Sequence, residues 1–198
     1  RLRLAPYEKG GEGEPAQGLK RLSSLEMDVA RLAYGEMEFG RLALRAEGVP
    51  GGLRIARLDL SSPTMEVTSS GRWNFGMGRS HTYFDVLATA PNLGRMMDSL
   101  GFVSVITEGD FRAEGAINWP GTPADVGLQR LNGALQVKIT DGVIEEVEKG
   151  ASGRLLGLLS VRALPRRLTL DFKDLTEKGL RFQAIEGDLV IDRGNGYT

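Results

Sequence analysis

Apolar and polar residues alternate along most of this chain. Leu25, Met27 and Val29 share one parity, with Glu26 and Asp28 between them. Met37 and Phe39 repeat the pattern against Glu36 and Glu38. The phase slips at Gly40, and Leu42, Leu44 and Ala46 then alternate with Arg41, Arg45 and Glu47. A period of two with a wet opposite face marks a strand buried on one side, and a glycine at a phase slip predicts a bulge. Pro50, Gly51 and Gly52 turn the chain. Ile55 to Leu60, Met65 to Trp73 and Tyr83 to Leu87 predict three further strands. Phe111, Ala113, Gly115, Ile117 and Trp119 alternate with Arg112, Glu114 and Asn118 as far as a turn at Pro120 and Gly121. Leu135, Val137 and Ile139 alternate with Gln136, Lys138 and Thr140, and Asp141-Gly142 predicts a hairpin turn. Leu168, Leu170 and Phe172 predict one more strand, and residues 180–191 one or two. Strands this close in sequence predict an antiparallel meander instead of βαβ units.

Two segments carry a helical period. Leu93, Met96, Met97 and Leu100 recur at i, i+3, i+4 and i+7. Pro91 suits the first turn, Thr89 or Asn92 the N-cap, and Gly101 a left-handed C-terminal cap. Residues 153–164 predict a second helix, on which Leu155, Leu156, Leu159 and Ala163 cluster. Arg154 and Arg162 share another face with Leu158 and Val161. This helix is apolar over most of its circumference, which means burial, packing across a sheet end, or contact with membrane or lipid. Arg166 and Arg167 just beyond it are suited to pairing with phosphates. Residues 1–20 read as a strand end and a flexible loop, rich in proline, glycine and charge, which cannot bury enough to order itself. The pattern predicts nine to eleven strands and two short helices, a mostly β fold.

Charge and composition then narrow the function. The 198 residues include 25 basic and 26 acidic side chains, with no basic stripe, so no nucleic-acid partner is expected. No cysteine is present, which excludes disulfides and thiolate chemistry. His81 is the only histidine, so a zinc site would need carboxylates for every other ligand, and a structural role is the expectation. Gly11, Gly13 and Ala16 formally match a dinucleotide fingerprint. No buried strand leads into them, and Glu12 and Glu14 would repel a pyrophosphate. Glu145, Glu146 and Glu148 read as a solvated edge, with nothing to shift their pKa. Neither a catalytic residue, a metal nor a cofactor is expected. No apolar run reaches the roughly 20 residues of a membrane span, and no leader precedes the strands. The chain opens on Arg1 and stops just after a strand-like run, as expected of a piece of a longer protein, so a missing leader carries no weight against export.

Two helices cannot cover about ten strands. The apolar faces are either sealed together in a sandwich or barrel, or left to line a trough for an apolar ligand, and composition leaves both open. In a trough the lining is Leu25, Met27, Val29, Met37, Phe39, Leu42 and Leu44 from the first strands, and Met65 and Val67 from the next. Phe111, Ile117, Leu135, Val137 and Ile139 follow, and finally Leu168, Leu170 and Phe172. The methionines on these faces read first as filling an irregular core, with a surface for variable acyl chains as the alternative.

One string is more specific. Gly153 to Ser160 is a leucine-rich helix, stopped by Pro165-Arg166-Arg167 and leading straight into Thr169 to Phe172. With Trp119 to Asp125, Leu131 to Gly133, Asp141-Gly142 and Ile185 to Asp188, it resembles the C-terminal region of the AsmA-like superfamily, closest to the YhdP-type envelope proteins of Gram-negative bacteria. The likeness covers residues 20–198. It implies a long curled antiparallel sheet, a β-taco with a continuous hydrophobic groove, formed here by residues 21–198. It implies a segment of a bridge-like lipid transfer protein that moves phospholipids between inner and outer membranes, in the periplasm, anchored to the inner membrane by a helix outside this sequence. Phospholipids are the implied partners, membrane contact falls to other parts of the full-length protein, and an outer-membrane protein is a candidate partner. The alternative is an assembly module of the envelope that docks such a protein through its sheet edges. At ~0.8 kcal/mol per buried methylene, a tail of about sixteen carbons gains roughly 12 kcal/mol. That outweighs a headgroup hydrogen bond at ~1 kcal/mol.

Overall fold

The computed structural model describes residues 2–4, 23–34, 37–76, 79–144 and 180–198. The expectations for the loop at 5–20, Glu145 to Glu148, the second helix and the strand at 168–172 lie outside the described residues. So do Leu155, Leu156, Leu159, Arg166, Arg167, Leu168, Leu170 and Phe172.

Among the described residues ten strands form one sheet in sequence order. They are β1 (Leu2–Leu4), β2 (Ser24–Tyr34), β3 (Met37–Val49), β4 (Gly52–Ser61), β5 (Glu66–Gly76), β6 (Arg79–Ala90), β7 (Asp110–Pro120), β8 (Asn132–Ile144), β9 (Leu180–Asp192) and β10 (Asn195–Tyr197). Every pairing from β2 to β10 is antiparallel, whereas β1 adds parallel to β2. The outermost strands, β1 and β10, do not pair with each other, so the sheet is an open, curled surface and not a barrel. Each neighbour adds roughly 20–25° of twist, which bends so wide a sheet out of plane.

Local chemistry explains where the strands depart from regularity. Gly40 has φ 80°, and a Cβ there would stand 2.1 Å from the Ser61 carbonyl oxygen of β4. The β2–β3 register shifts opposite it, as the phase slip predicts. A second irregularity falls in β4, where Ile55 pairs with Gly71 and Leu58 with Ser69, so Ala56 and Arg57 together oppose Ser70. This bulge returns Ile55 and Leu58 to the same face. Asp141-Gly142 corrects the expectation of a hairpin turn there. Both residues lie inside β8, which keeps pairing with β9 as far as Ile144. Asp141 takes φ 54° within the strand, and the ring of Phe182 occupies the space a Cβ on Gly142 would need, with Cζ at 2.3 Å.

Helix α1 (Leu93–Ser99) crosses one end of the sheet. Asn92 is its N-cap, its side chain accepting from the Arg95 N–H, so Pro91 stands before the cap and not in the first turn. Gly101 has φ 75°, and Phe102 and Gly101 donate to the carbonyls of Met97 and Asp98, a Schellman closure. Leu93 and Met96 pack with Met65, Ala90, Ile106, Ile139 and Phe182. Toward the other end, Phe84 and Trp119 stack at 5.7 Å over Ala46 and Ile55, and Leu53, Trp73 and Phe75 form a third cluster. The opposite face is wet and stitched by exposed ion pairs, including Arg41–Asp28, Arg45–Glu26 at 2.9 Å and Lys138–Glu186 at 2.6 Å. The hydrogen bond from Arg41 holds the Asp28 carboxyl below its ordinary pKa. Such exposed pairs add little stability; they mark which face meets solvent.

Gly115 tests this packing. Its φ is 152°, and a Cβ would lie 2.1 Å from the Ala134 carbonyl oxygen on β8. Gly115→Ala is expected to cost about 2 kcal/mol or more in urea unfolding. Gly127→Ala, with nothing within 4 Å, is expected to stay within about 0.5 kcal/mol. Equal effects would contradict the β7–β8 contact.

Candidate functional site

Register aligns the inward positions into rows that cross the sheet. One row runs Met27, Leu44, Leu58, Ser69, Val86, Gly115, Leu135 and Leu189, each paired with the next. The adjacent row runs Val29, Leu42, Leu60, Val67, Ala88, Ala113, Val137 and Gly187. The rows stand about 6.6 Å apart along the strands and extend roughly 34 Å from β2 to β9. Only Leu42, Ser69 and Ala113 in them are buried; the others are half-buried. Sealed core positions lie close by in the clusters at either end, such as Ile106 at 4% exposure beside α1 and Trp119 at 3% in the aromatic cluster. Among the described residues the two rows are an apolar strip left partly open between a helix-covered end, against which Val137 packs, and an aromatic end, against which Leu44, Leu58 and Val86 pack.

Polar atoms on this face are turned away from the strip. Ser69 Oγ donates to the Leu58 carbonyl at 2.9 Å. Thr82, fully buried, donates to the Gly121 carbonyl at 2.9 Å. Trp73 Nε1 donates to Ser80 Oγ at 2.7 Å, and Trp119 Nε1 to the Thr122 carbonyl at 2.8 Å. No charged residue stands in either row, so the strip offers dispersion contacts and no fixed charge.

A depression of about 1000 Å³ reaches the strip at Ser69, Val86, Gly115 and Leu135. It is wide open and crosses the same strands, but most of its lining side chains, including Arg57, Asp85, Glu114, Gln136 and Asp188, alternate with the strip and belong to the polar face. His81 also belongs to that face. Its Nε2 lies 3.0 Å from Asn118 Oδ1, its ring 4.5 Å from Tyr83, and the Arg72 guanidinium covers Tyr83 at 5.0 Å. Among the described residues no group of three or more His, Asp or Glu side chains is placed to hold a metal. No helix among them is long and apolar enough to cross a membrane.

The expected lining residues that are described separate into three sets, with Met37 apart from them. Met27, Val29, Leu42, Leu44, Val67, Leu135 and Val137 stand in the two rows. Leu25 and Ile117 stand one row further toward the aromatic cluster and pack against it. Phe39, Met65, Phe111 and Ile139 are drawn into the cluster around α1. Met37 is half-buried at the start of β3, opposite Tyr34. Sequence reasoning missed Leu58, Val86, Ala88 and Leu189 of the strip, and the Phe84–Trp119 seal. The findable signal was Phe84, whose parity within β6 is also that of Val86 and Ala88 and which pairs with the inward Ile117 of β7.

Among the described residues the chain is an open antiparallel sheet with a partly exposed apolar strip that carries no charge. A family model described as YhdP protein matches residues 2–198, and the chain belongs to the YhdP family. It is 28% identical over 132 residues to the intermembrane phospholipid transporter YhdP of Escherichia coli strain K12, an alignment covering 67% of this chain and 10% of that protein. The chain thus spans about a tenth of that relative's length. No solved structure matches it.

Stability measurements separate strip from seal. Phe84→Ala is expected to cost about 3–5 kcal/mol, whereas Leu135→Ser in the strip is expected to cost less than about 1.5 kcal/mol, since its side chain already meets solvent. A Leu135→Ser loss as large as that of Phe84→Ala would mean the strip is closed.

Proposed function

We propose that this chain is one segment of a lipid-conducting groove in which phospholipid tails lie along the apolar strip and headgroups stay in water. The observation that supports it is the pair of registered, mostly half-buried apolar rows, beside which Ser69, Trp73, Thr82 and Trp119 direct their side-chain polar atoms into hydrogen bonds within the protein. Such a surface rewards burial of hydrocarbon. Roughly 12 kcal/mol is available to a tail of about sixteen carbons at ~0.8 kcal/mol per methylene. With no free charge or hydrogen-bonding group in the rows, binding is set by tails and is nearly blind to headgroup. No covalent step is involved, and no cofactor is needed.

The name of the Escherichia coli relative, an intermembrane phospholipid transporter, supports the same reading. On it, residues 21–198 form a groove segment of a longer protein that works in the periplasm between two membranes. The anchor and the membrane contacts belong to other parts of that protein, and an outer-membrane protein is a candidate partner at its far end.

Native mass spectrometry of the purified chain is expected to show bound phospholipid. Photo-crosslinking side chains at Val86, Leu135 and Val137 are expected to capture lipid, and those at Asp85, Gln136 and Lys138 are not. Equal capture by both sets would contradict the assignment of faces. In the full-length protein, Val137→Asp is expected to abolish transport while export is unchanged; normal transport would count against the groove.

A further inference from the structure

Beside the strip runs a third row of the same chemistry. Ala90, Phe111, Ile139 and Ile185 pair in succession, one row beyond Ala88, Ala113, Val137 and Gly187. Met65, which directly precedes β5, packs with them. This row is apolar and uncharged like its neighbours, but it is covered. Leu93 and Met96 of α1 pack into it, with Met97 and Leu100 against the same cluster. The helix thus forms over the third row the layer that is missing over the other two.

What holds α1 there differs between its two sides. Toward β8 the backbone does it. The Leu93 N–H donates to the Gly109 carbonyl at 2.8 Å, and a Cβ on Gly94 would stand 2.5 Å from the Thr107 carbonyl oxygen, so the helix and the segment after it are pressed into one unit. That unit joins β8 through the Thr107 N–H, which donates to the Val143 carbonyl at 3.0 Å, and through a bridge between Ile106 and Ile144. Toward β4 and β5 two hydroxyls do it. Ser99 Oγ donates to the Met96 carbonyl at 2.7 Å, so its oxygen is left to accept from Thr64 Oγ1 at 2.9 Å. Among the described residues no other side-chain hydrogen bond or ion pair joins α1 to a residue beyond its caps.

Resting on the reading of the strip as a lipid groove, we infer that Thr64 and Ser99 are positioning residues: they hold α1 down on the third row and so limit the hydrocarbon path to two rows. The pair touches no lipid itself. It acts through Leu93 and Met96, which pack in one cluster with Phe111 and Ile139. Met65, Met96 and Met97 belong to the same contact. Their unbranched side chains repack readily, so the apolar interface alone fixes the helix loosely and the hydroxyl pair fixes its place. Breaking the pair strands no polar atom. Without the Ser99 hydroxyl, Thr64 Oγ1 keeps Ser62 Oγ at 3.2 Å, and the Met96 carbonyl keeps the Leu100 N–H at 3.1 Å. What is lost is the position of the helix.

The test labels the whole chain with a phosphatidylcholine that carries a diazirine in one tail and locates the labelled residues by peptide mass spectrometry. In the wild-type chain Val86 and Leu135 are expected to be labelled strongly, and Phe111 and Ile139 weakly. Ser99→Ala is expected to raise labelling at Phe111 and Ile139 about fivefold, the change that one net hydrogen bond makes in an equilibrium, with Val86 unchanged. Ser99→Thr keeps the hydroxyl and is expected to label as the wild-type chain does. The chain has no cysteine of its own, so Thr64→Cys combined with Ser99→Cys gives a second reading. Its third row is expected to label weakly when the pair is oxidised and strongly once it is reduced. Circular dichroism and the melting temperature check that each variant is folded, and the cysteine pair carries the test if Ser99→Ala is not. Unchanged labelling of the third row in Ser99→Ala, or a cysteine pair that labels alike oxidised and reduced, would overturn the role of the two hydroxyls. Failure of the wild-type chain to be labelled at Val86 and Leu135 would instead overturn the groove itself.

Discussion

Register is the constraint on which the structure depends. Side chains on a strand alternate with a period of two, so a slip of one residue moves an entire apolar set to the wet face. Eight consecutive strands here keep Met27, Leu44, Leu58, Ser69, Val86, Gly115, Leu135 and Leu189 in one line. Where the chain breaks phase, the backbone absorbs the error. Gly40 does so in β3 by a positive φ, and the extra residue between Ile55 and Leu58 does so in β4. Without these two corrections the strip would be interrupted by Arg41 or Arg57, and no continuous hydrocarbon surface would exist.

Covering is uneven for an equally simple reason. Helix α1 has seven residues and spans about 10 Å, so it reaches one end of the sheet only. Large aromatics seal the other end, with the Trp73 and Trp119 indoles each donating to a nearby oxygen. Between them stand residues too small or too few to cover themselves. An apolar surface left half-exposed among the described residues marks a binding site, and membership of the YhdP family supports hydrocarbon as the layer proposed to cover it. Tail-driven binding without a charged contact also suits passage, since no step along the rows presents a strong local trap.

Much of the fold was legible in the sequence, because alternation is a direct consequence of strand geometry. Met27, Leu44, Leu135 and Val137 could be assigned to one face from their neighbours alone. Asn92 and Gly101 announced the ends of α1 by their capping chemistry. What remained hidden depended on partners distant in sequence. Asp141-Gly142 has the composition of a turn, yet Phe182 of β9 needs the space that Gly142 leaves, so the strand continues. Phe39, Met65, Phe111 and Ile139 share the parity or character of groove residues, but α1 folds onto that end and removes them from the strip. Val86 and Leu189 were not singled out because their parity becomes meaningful only once β6 pairs with β7 and β9 with β8. Periodicity states that a side chain faces inward; only the three-dimensional arrangement states whether something already lies against it.

The central claim is that hydrocarbon contacts the two middle rows and not the sealed clusters beside them. Paramagnetic broadening of methyl resonances by a spin-labelled fatty acid reads this directly. The methyl groups of Met27, Val86, Leu135 and Leu189 should broaden strongly while those of Ile55, Leu53 and Ile106 keep their intensity. Uniform broadening of both sets, or preferential broadening of the second, would show that the strip is not where fatty tails reside.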